Sequence, residues 1–515
     1  MRCERALEQA TIRRYISIAL LSRSVNAFVR PRTLSHTALS VSGIVRISAR
    51  RATMAASWDA SRERPLKAGT ATGDVLYWMA RDQRCADNWA LLRAAALAKE
   101  HQGKARVVYA LGAISTERRL DFQLKGLVET GRDLNAAGFG FDVLVLDDAP
   151  AGASVAAFAA THKVAHVVCD YSPLREAKAA TKELVAALPA PIGASVVDAH
   201  NIVPVWEASP KQEVGARTLR KKITEQLPRY LKEIPQATQG APVVSTVDWR
   251  PIIKQARQQT DRSVPPVDWL VPGAKASFAT LETFIKDGRL KRFAKERNDP
   301  NVEAASHLSP YLNFGQHSAQ RAALRVKAER SRYSESVASF LEESIIRREL
   351  SDNFCHYQPN YDSLEGAAAW ARDSLELHAT DKREHLYNRE QLENAEAFED
   401  VWNAAQRQLV RQGKMHGFMR MYWAKKVLEW SASPAEALAT TLYLNDKYSL
   451  DGCDPNGFVG CAWSIMGTHD MGWKEREVFG KIRFMNYNGC KRKFDVQAFV
   501  AAWPKAARPA KRAKK

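Results

Sequence analysis

The strongest constraint on the fold is a series of short apolar runs separated by longer amphipathic stretches, between about residue 73 and residue 197. Such runs are typical of strands buried on both faces of a sheet, and the stretches between them are long enough for crossover helices. We therefore predict a doubly wound parallel sheet within residues 73–205, with helices at about 87–100 and 116–131. The predicted strands lie at residues 75–79, 106–111, 142–146, 166–169 and 191–197.

The chain changes character after residue 205. Residues 206–276 are rich in proline and glutamine, which predicts a long connector packed over the surface. From residue 277 to 503, apolar side chains recur at helical spacing, as at Val337, Phe340 and Leu341. The predicted fold class is therefore α/β plus all-α. Helices are expected at 395–412, 414–430 and 434–444, the last with Ser433 as its N-cap.

Both ends of the chain are basic. Residues 1–56 hold ten arginines and two acids and are rich in serine and alanine, a composition typical of a mitochondrial or chloroplast transit peptide. An untranslated or disordered leader, with Met54 as the start, is the alternative. Residues 504–515 carry six basic groups and no acid, as in a nuclear import signal, a phosphate-attracting tail or a solvated tail. We expect the protein in the nucleus, in an organelle (chloroplast or mitochondrion), or in both.

Several classes of protein are excluded by absent patterns. No uninterrupted apolar run of about 18 residues occurs, so we expect no membrane span. The seven cysteines form no CxxC pair, which argues against a zinc ribbon or a disulfide scaffold. The glycine-rich dinucleotide fingerprint and the Walker A motif are both missing. We expect no metal and a monomer.

A group of tryptophans marks the second half. Trp423 and Trp430 are seven residues apart and so share a helix face, and Trp402 lies one predicted helix earlier. Such residues are more often a core aromatic cluster than anything else. However, indole is readily oxidised, so closely packed indoles can also relay an electron from solvent to a buried redox cofactor.

Residues 444–463 are polar and rich in glycine between two apolar segments, which predicts a loop that brings amides and carboxylates to a large heteroaromatic ligand. Calcium is disfavoured because the EF-hand spacing is absent. Residues 473–494 interleave basic and aromatic side chains. This pattern suits a phosphate backbone with unstacked bases, although a solvated basic face has the same composition.

Several blocks, taken together and in order, resemble the class II cyclobutane-pyrimidine-dimer photolyases of the photolyase/cryptochrome family. The resemblance runs from about residue 73 to 503 and is carried by 77–89, 306–316, 340–350, 415–430 and 443–463. It implies an N-terminal α/β antenna domain and a helical domain that binds FAD. It also implies light-driven repair: the reduced flavin, FADH⁻, gives an electron to a pyrimidine dimer in UV-damaged DNA, and takes it back after the ring splits.

The resemblance assigns roles to individual residues. Glu343 hydrogen-bonds the carbonyl edge of the dimer, provided it carries or shares a proton, and an ion pair with Arg347 on a solvated face is the alternative. Asn445 faces flavin N5, and Trp463 and Met421 are apolar walls of the dimer pocket. The flavin phosphates, ribityl chain and ring are held by Ser306, His307, Leu308, Ser309, Pro310, Asp446, Asp451 and Asn456.

The same resemblance implies an electron relay and a DNA contact surface. The relay consists of Trp402, Trp423 and Trp430, with Tyr387 and Tyr422 as side members. The DNA backbone and bases are contacted by Arg297, Asn298, Trp473, Arg483, Lys491, Arg492 and Lys493. A second, antenna chromophore such as a deazaflavin or a folate is a further expectation, for which the α/β domain offers no motif.

Two positions depart from the family pattern, and two other functions stay open. Phe293 stands where a tyrosine is frequent near the flavin phosphate, and Met471 stands where a basic residue is frequent. A blue-light receptor of the cryptochrome type uses the same flavin without repair. A non-catalytic DNA-binding protein would carry no flavin.

Overall fold

The computed structural model describes residues 58–239, 242–243 and 245–505. The predicted leader and residues 506–515 of the basic tail lie outside the described residues.

Residues 63–197 form a six-stranded sheet in the order β1-β6-β5-β2-β3-β4, in which β1 is antiparallel to β6 and all other pairs are parallel. The five predicted strands are confirmed as β2 to β6, and the antiparallel edge strand β1 was not predicted. The strands are β1 Glu63–Lys67, β2 Gly73–Met79, β3 Gln102–Leu111, β4 Gly140–Val145, β5 His166–Asp170 and β6 Gly193–Val197.

Helices cover both faces of this sheet, which explains why its inner strands are continuously apolar. Leu76 and Val167 pack on one face, and Val75 and Tyr77 on the other. All four side chains are fully buried. The covering helices of this α/β domain are α1 Trp89–Glu100, α2 Glu117–Ala136, α3 Ala151–Thr161 and α4 Arg175–Ala187.

The segment 206–276, interpreted from its sequence as a connector, contains helices that its prolines obscured. They are α5 Val205–Ala208, α6 Ala216–Tyr230 and α7 Trp249–Gln258. Helix α6 buries Leu219 and Ile223 against Ile345 and Leu350 of the helical domain. The segment therefore forms part of the packing between the two domains.

The helical domain follows from Ala274. Its helices are α8 Ala274–Lys286, α9 Arg289–Glu296, α10 Ser309–Asn313, α11 Ala319–Lys327, α12 Ser334–Leu341, α13 Arg348–Tyr357, α14 Ala369–Leu377, α15 Arg389–Glu393, α16 Asp400–Gln412, α17 Gly417–Trp430, α18 Pro434–Tyr448, α19 Pro455–Met466, α20 Tyr487–Lys491 and α21 Val496–Ala502. A π-helical turn, Glu342–Arg347, joins α12 to α13. The three helices predicted here correspond to α16, α17 and α18, and Ser433 caps α18 by accepting from the Glu436 amide.

The predicted loop over residues 444–463 is wrong for most of its length. Helix α18 continues to Tyr448, and α19 begins at Pro455. The Asp454 side chain accepts from the Asn456 amide, and proline at the first helical position needs no amide hydrogen. Only residues 449–454 form a loop. The glycines of α19, which suggested a longer loop, lie inside a packed helix.

The carboxyl edge of the parallel sheet faces the helical domain. Arg81, just after β2, donates two hydrogen bonds to Asp352 of α13 at 2.6 and 2.8 Å. Four residues after β6, the side chain of Asn201 also donates to Asp352, at 2.8 Å. This edge is where doubly wound sheets bind ligands, and here it is sealed against a helix by buried charge.

Candidate functional site: two adjoining cavities

A cavity of about 270 Å³, the inner cavity, lies at this junction of the domains. Its walls come from α10, from the π turn, from the loop before α19 and from His200, which follows β6. Apolar side chains and hydrogen-bonding groups alternate around it. It is lined by His200, Phe293, Ser306, Leu308, Ser309, Leu312, Asn313, Phe340, Glu343, Ser344, Arg348, Arg420, Asp451, Asp454, Asn456 and Gly457.

A larger and more open cavity of about 1050 Å³, the outer cavity, adjoins the inner one. Glu343, Arg420 and Asn456 line both cavities, so these three residues form their common boundary. The outer cavity has apolar walls from Met421 and Trp463. Its charged lining consists of six basic residues against two acids: Arg297, Arg347, Arg420, Lys474, Arg476 and Arg483, with Glu343 and Asp470.

The π turn places Glu343 at the boundary. The wider turn shifts the side-chain register between α12 and α13, a local irregularity that is frequent at functional sites. Glu343 pairs with Arg297 at 3.1 Å, whereas Arg347 pairs with Glu342 at 3.3 Å. The alternative interpretation, in which Glu343 is neutralised by Arg347 on a solvated face, is therefore wrong.

An ion pair crosses the floor of the inner cavity. Arg420 lies 3.1 Å from Asp451. Burial alone raises the pKa of the Asp451 carboxyl, but Arg420 and the Ser309 hydroxyl outweigh it, so the net shift is downward. Asp451 therefore remains an anion and keeps Arg420 in place between the two cavities.

Some predicted flavin contacts line the inner cavity and others do not. Ser306, Leu308, Ser309, Asp451 and Asn456 all lie on its wall. His307 instead pairs with Glu303 at 2.7 Å and hydrogen-bonds Lys414. Pro310 is buried inside α10, so neither residue lies where it was predicted.

Asn445 and Asp446 were predicted beside the flavin ring, and the structure places both behind the cavity wall. The Asn445 Nδ2 donates to Asp446 Oδ1 at 2.9 Å, and its Oδ1 accepts from Ser449 at 3.3 Å. Asp446 also accepts from the Cys453 amide. The amide that reaches the cavity is Asn456, since α18 turns Asn445 into the helix packing.

Gly457 explains the relation between these two layers. A β-carbon at this position would lie 3.0 Å from Asn445 Nδ2. Because the glycine has no side chain, α19 can lie directly over Asn445. A planar group in the cavity can approach the backbone there.

The three predicted relay tryptophans form a continuous series. Trp423 and Trp402 are stacked with ring centroids 6.3 Å apart, and Trp402 and Trp430 meet at 5.6 Å. Trp423 lies one helical turn beyond Arg420, which lines both cavities. Tyr387 continues the series at 5.6 Å from Trp430, whereas the Tyr422 hydroxyl is bound to Glu399.

The predicted DNA contacts divide into two groups. Arg297, Asn298, Trp473 and Arg483 line the outer cavity. Arg483 is held by Asp470 at 2.8 Å and stacks over Trp473 at 4.1 Å. The three basic residues of α20 and the turn after it are exposed but lie outside both cavities: Lys491, Arg492 and Lys493.

The two departures from the family pattern differ in their surroundings. Phe293 lines the inner cavity and packs against Phe340, with ring centroids 5.9 Å apart. A hydroxyl is therefore missing at the cavity wall. Met471 is 68% exposed and lines neither cavity.

Four residues of the site carried no sequence signal that we used. His200 and Arg348 reach the inner cavity from opposite domains. Lys425 is fully buried below Trp463, with its Nζ 4.7 Å from the indole centroid and donating to the Ser464 carbonyl at 2.7 Å. Burial lowers the pKa of Lys425 to about 7. Arg420 is the fourth of these residues. The sequence signal that could have indicated Lys425 and Arg420 is the presence of basic residues within the largely apolar stretch 415–430.

Two negative observations concern the described residues only. Within residues 58–239, 242–243 and 245–505, no helix has the length and apolar character needed to cross a membrane. Within the same ranges, no three histidine, cysteine or acidic side chains are grouped so as to hold a metal ion.

Comparison with known proteins identifies the family. A sequence model described as DNA photolyase matches residues 75–239. The deoxyribodipyrimidine photo-lyase of Potorous tridactylus is 50% identical over 433 residues, covering 82% of this chain and 80% of that protein. The enzyme of the same name from Oryza sativa subsp. japonica is 50% identical over 450 residues, covering 84% and 88%.

Solved structures show the same fold at low sequence identity. An archaeal photolyase from Sulfolobus tokodaii, solved with two FAD molecules, has a TM-score of 0.62 and 15% identity, and 84% of this chain and 90% of that chain are covered. A cryptochrome from Synechocystis gives a TM-score of 0.63 and 15% identity, covering 84% and 89%. The α/β plus helical architecture is therefore confirmed.

The fold and the two joined cavities define a flavoprotein-like scaffold of the photolyase/cryptochrome kind. This chain belongs to the DNA photolyase family. The resemblance seen in the sequence is thereby confirmed, as is the expectation of an enzyme of light-driven DNA repair, and the receptor alternative is not favoured.

Proposed function

We propose that this chain splits cyclobutane pyrimidine dimers in UV-damaged DNA, with FAD held in the inner cavity and the dimer in the outer one. The observation that carries the proposal is the boundary of the two cavities, where Glu343, Arg420 and Asn456 belong to both. A ligand in one cavity and a ligand in the other must meet at these side chains.

The lining of the inner cavity fits a flavin nucleotide. Ser306 and Ser309 offer hydroxyls and Arg348 offers a cation for phosphate, while Leu308 and Phe340 supply apolar contact for rings. Gly457 lines the same cavity without a side chain of its own. Bound there in its reduced form, FAD would supply an electron on illumination and accept it again after the dimer has split.

The outer cavity fits an extruded dimer and the DNA strand that carries it. Enzymes of this class swing the target bases out of the helix, at a cost that is lowest for a damaged, poorly stacked pair. Met421 and Trp463 give apolar walls for the two bases, and the excess of basic residues at the opening suits the phosphate backbone. Trp473, 44% exposed, stands at the same opening.

Glu343 is the residue we assign to the dimer itself. Its carboxyl lies at the boundary, where it can hydrogen-bond a base carbonyl on which negative charge develops. In the DNA-free protein it is paired with Arg297. Because Arg297 also lines the outer cavity, a DNA phosphate that attracts Arg297 weakens this pair and frees the Glu343 carboxyl to face the dimer.

The tryptophan series is assigned to reduction of the cofactor. Trp423 is the member nearest the cavities along α17, and Trp430 is the farthest. The centroid separations of 6.3 and 5.6 Å keep neighbouring indoles close to van der Waals contact. An electron can therefore move from Trp430 through Trp402 to Trp423.

The terminal segments and the antenna complete the proposal. The composition of residues 1–56 supports delivery to a chloroplast or mitochondrion, and residues 504–515 support delivery to the nucleus. A deazaflavin or folate bound to the α/β domain and a monomeric state remain part of this proposal.

The test combines a spectrum with a matched pair of variants. The purified protein should absorb as a flavoprotein and, once reduced, should restore dimer-containing DNA in blue light. Glu343→Ala should lower the repair yield about tenfold or more while leaving FAD bound. Glu342→Ala is the control, because its neighbour Glu342 pairs with Arg220 at 2.7 Å and lines neither cavity.

A colourless protein that stays colourless with added FAD would refute the whole proposal. Equal repair by Glu343→Ala and Glu342→Ala would remove only the role of Glu343. Flavin binding with no repair of any dimer, in any redox state, would favour the receptor alternative.

A further inference from the structure

A third cavity, of about 430 Å³, lies at the far end of the tryptophan series; we name it the distal cavity. Its walls are the segment 382–385, the end of α17 at Glu429 and Trp430, and residues 476–479 with Phe484. The mechanism proposed above uses Trp430 but assigns nothing to this cavity. Its volume falls in the range of small-molecule sites, about 300–1000 Å³.

Two buried hydrogen-bond donors of this cavity have no acceptor among the described residues. Trp430 is 1% exposed, and its Nε1 has no partner there. Both Nη atoms of Arg383 are likewise buried and unpartnered, although its Nε donates to the Ser431 carbonyl. Leaving such a donor unsatisfied is unfavourable, and more so when it is charged. A bound acceptor would remove that cost.

The chemistry of these donors selects the ligand. The Nη fork of a guanidinium matches a pair of oxygens on one planar anion. Trp430 lines the same cavity and adds an indole N–H as a third donor, and Phe479 and Phe484 supply apolar walls. A small, flat, oxygen-rich anion fits this arrangement.

The rim of the cavity is balanced in charge. Two exposed acids, Glu384 and Glu477, stand beside two exposed bases, Lys382 and Arg476. The acid Glu429 also lines the cavity and is paired with Lys426 at 3.0 Å. The distal cavity therefore lacks the excess of basic residues with which the outer cavity suits a phosphate backbone.

We propose that the distal cavity binds a small anionic one-electron reductant of the enediolate class and that this reductant donates an electron to oxidised Trp430. The proposal rests on the proposed function, in which light-excited, oxidised FAD draws an electron along the tryptophan series. The oxidised Trp430 radical cation then gains one electron and returns to neutral indole. The enediolate monoanion loses that electron and its remaining hydroxyl proton, which passes to solvent, and becomes a radical anion.

Binding is tested in the dark, on the full flavin-loaded protein, with ascorbate as the probe. In protein with ¹⁵N-labelled tryptophan, the Trp430 indole resonance, assigned with Trp430→Phe, should shift saturably as ascorbate is added. Arg383→Gln should weaken the apparent affinity about tenfold, the loss of one charge-assisted contact. Arg383→Lys keeps the charge without the fork and should lie between.

The matched control is Arg250→Gln, which removes one exposed arginine at the start of α7, in the segment between the domains. It should leave the titration unchanged. A flash experiment then measures the decay of the tryptophan radical, whose rate should saturate with ascorbate in the unaltered protein and rise only linearly in Arg383→Gln.

Either of two results would overturn the proposed binding site, and a third would refute only the electron transfer to Trp430. No saturable shift of the Trp430 resonance, or equal shifts with and without Arg383, would show that the cavity does not bind the anion. Weaker DNA binding by Arg383→Gln with unchanged ascorbate binding would show a phosphate contact instead. If no tryptophan radical forms in any variant while the dark titration behaves as expected, the relay in the proposed function fails and the binding site stands.

Discussion

Replacing Arg81 by methionine should destabilise the protein by about 3–5 kcal/mol. Arg81 and Asp352 form a buried, two-bond ion pair between the sheet edge and α13, with side-chain exposures of 9% and 0%. Removing one partner of such a pair leaves the other charge buried and uncompensated, which has this cost. The remaining contact to Asp352, from Asn201, is a neutral amide.

The pKa of Asp352 gives an independent magnitude. Burial on its own raises this pKa, but Arg81 outweighs it and lowers the value from 3.8 to about 2. The difference corresponds to about 2 kcal/mol of stability. Because the folded-state pKa is the lower one, this contribution is complete above pH 3.8 and is lost as the pH falls towards 2.

The assay is urea unfolding followed by tryptophan fluorescence at pH 7. The control is Arg175→Met, which removes a second arginine–aspartate pair between the same two domains. Because Arg175 and Asp362 are 43% and 28% exposed, that change should cost about 1 kcal/mol or less. The double variant Arg81→Met with Asp352→Asn should recover part of the loss, since no buried charge remains. Equal costs for Arg81→Met and Arg175→Met would refute the reasoning.

Three further changes test other parts of the molecule. Trp402→Phe should slow photoreduction of oxidised FAD while chemically reduced enzyme repairs normally, and unchanged photoreduction in a laser-flash assay would exclude Trp402 from the relay. The free energy of unfolding of the unaltered protein should rise between pH 7 and about 10, by at most about 1.4 kcal/mol per pH unit, because unfolded Lys425 keeps its proton there and folded Lys425, with a pKa of about 7, has lost it. Lys425→Met should abolish this rise, and identical pH slopes of the two proteins in urea titrations would contradict this. Gly457→Val should lower the FAD content of the purified protein, because its side chain meets Asn445 and so displaces the first turn of α19, which lines the inner cavity. Gly112→Ala, whose β-carbon meets no atom within 4 Å, should not lower it, and equal flavin absorbance of the two variants would contradict the placement.

The α/β domain could be predicted well because burial on both faces leaves a plain record in the sequence. Val75 to Met79 is an unbroken apolar run, and the structure makes it the central strand. Strand β1 escaped prediction because it is a half-exposed edge strand whose sequence, Glu63 to Lys67, is mostly charged. The helices of the segment 206–276 escaped because prolines and glutamines outweighed a weaker apolar periodicity.

The site could be predicted only where one local motif supplies the contacts. Ser306 and Ser309 lie on the cavity wall, as the motif predicted. The three tryptophans also meet as predicted, because Trp423 and Trp430 share a face of α17 and Trp402 of α16 packs between them. Asn456 lines the inner cavity, as predicted. The placement of Asn445 behind the cavity wall could not be foreseen, because it depends on how α19 lies over α18. The same holds for His200, which is far from the motif in sequence and reaches the cavity only through the docking of the two domains.

His200 has a consequence for how the holoenzyme is held together. A residue of the α/β domain closes a cavity otherwise built by the helical domain, so a ligand in that cavity binds the docked arrangement and not the separated one. Thermodynamic linkage then requires the coenzyme to strengthen domain association by RT ln(1 + [L]/Kd), about 4 kcal/mol at a thousandfold excess over Kd. Loss of the coenzyme should accordingly first increase transient separation of the two domains. Protease cleavage between residues 206 and 276 should then become faster before either domain unfolds.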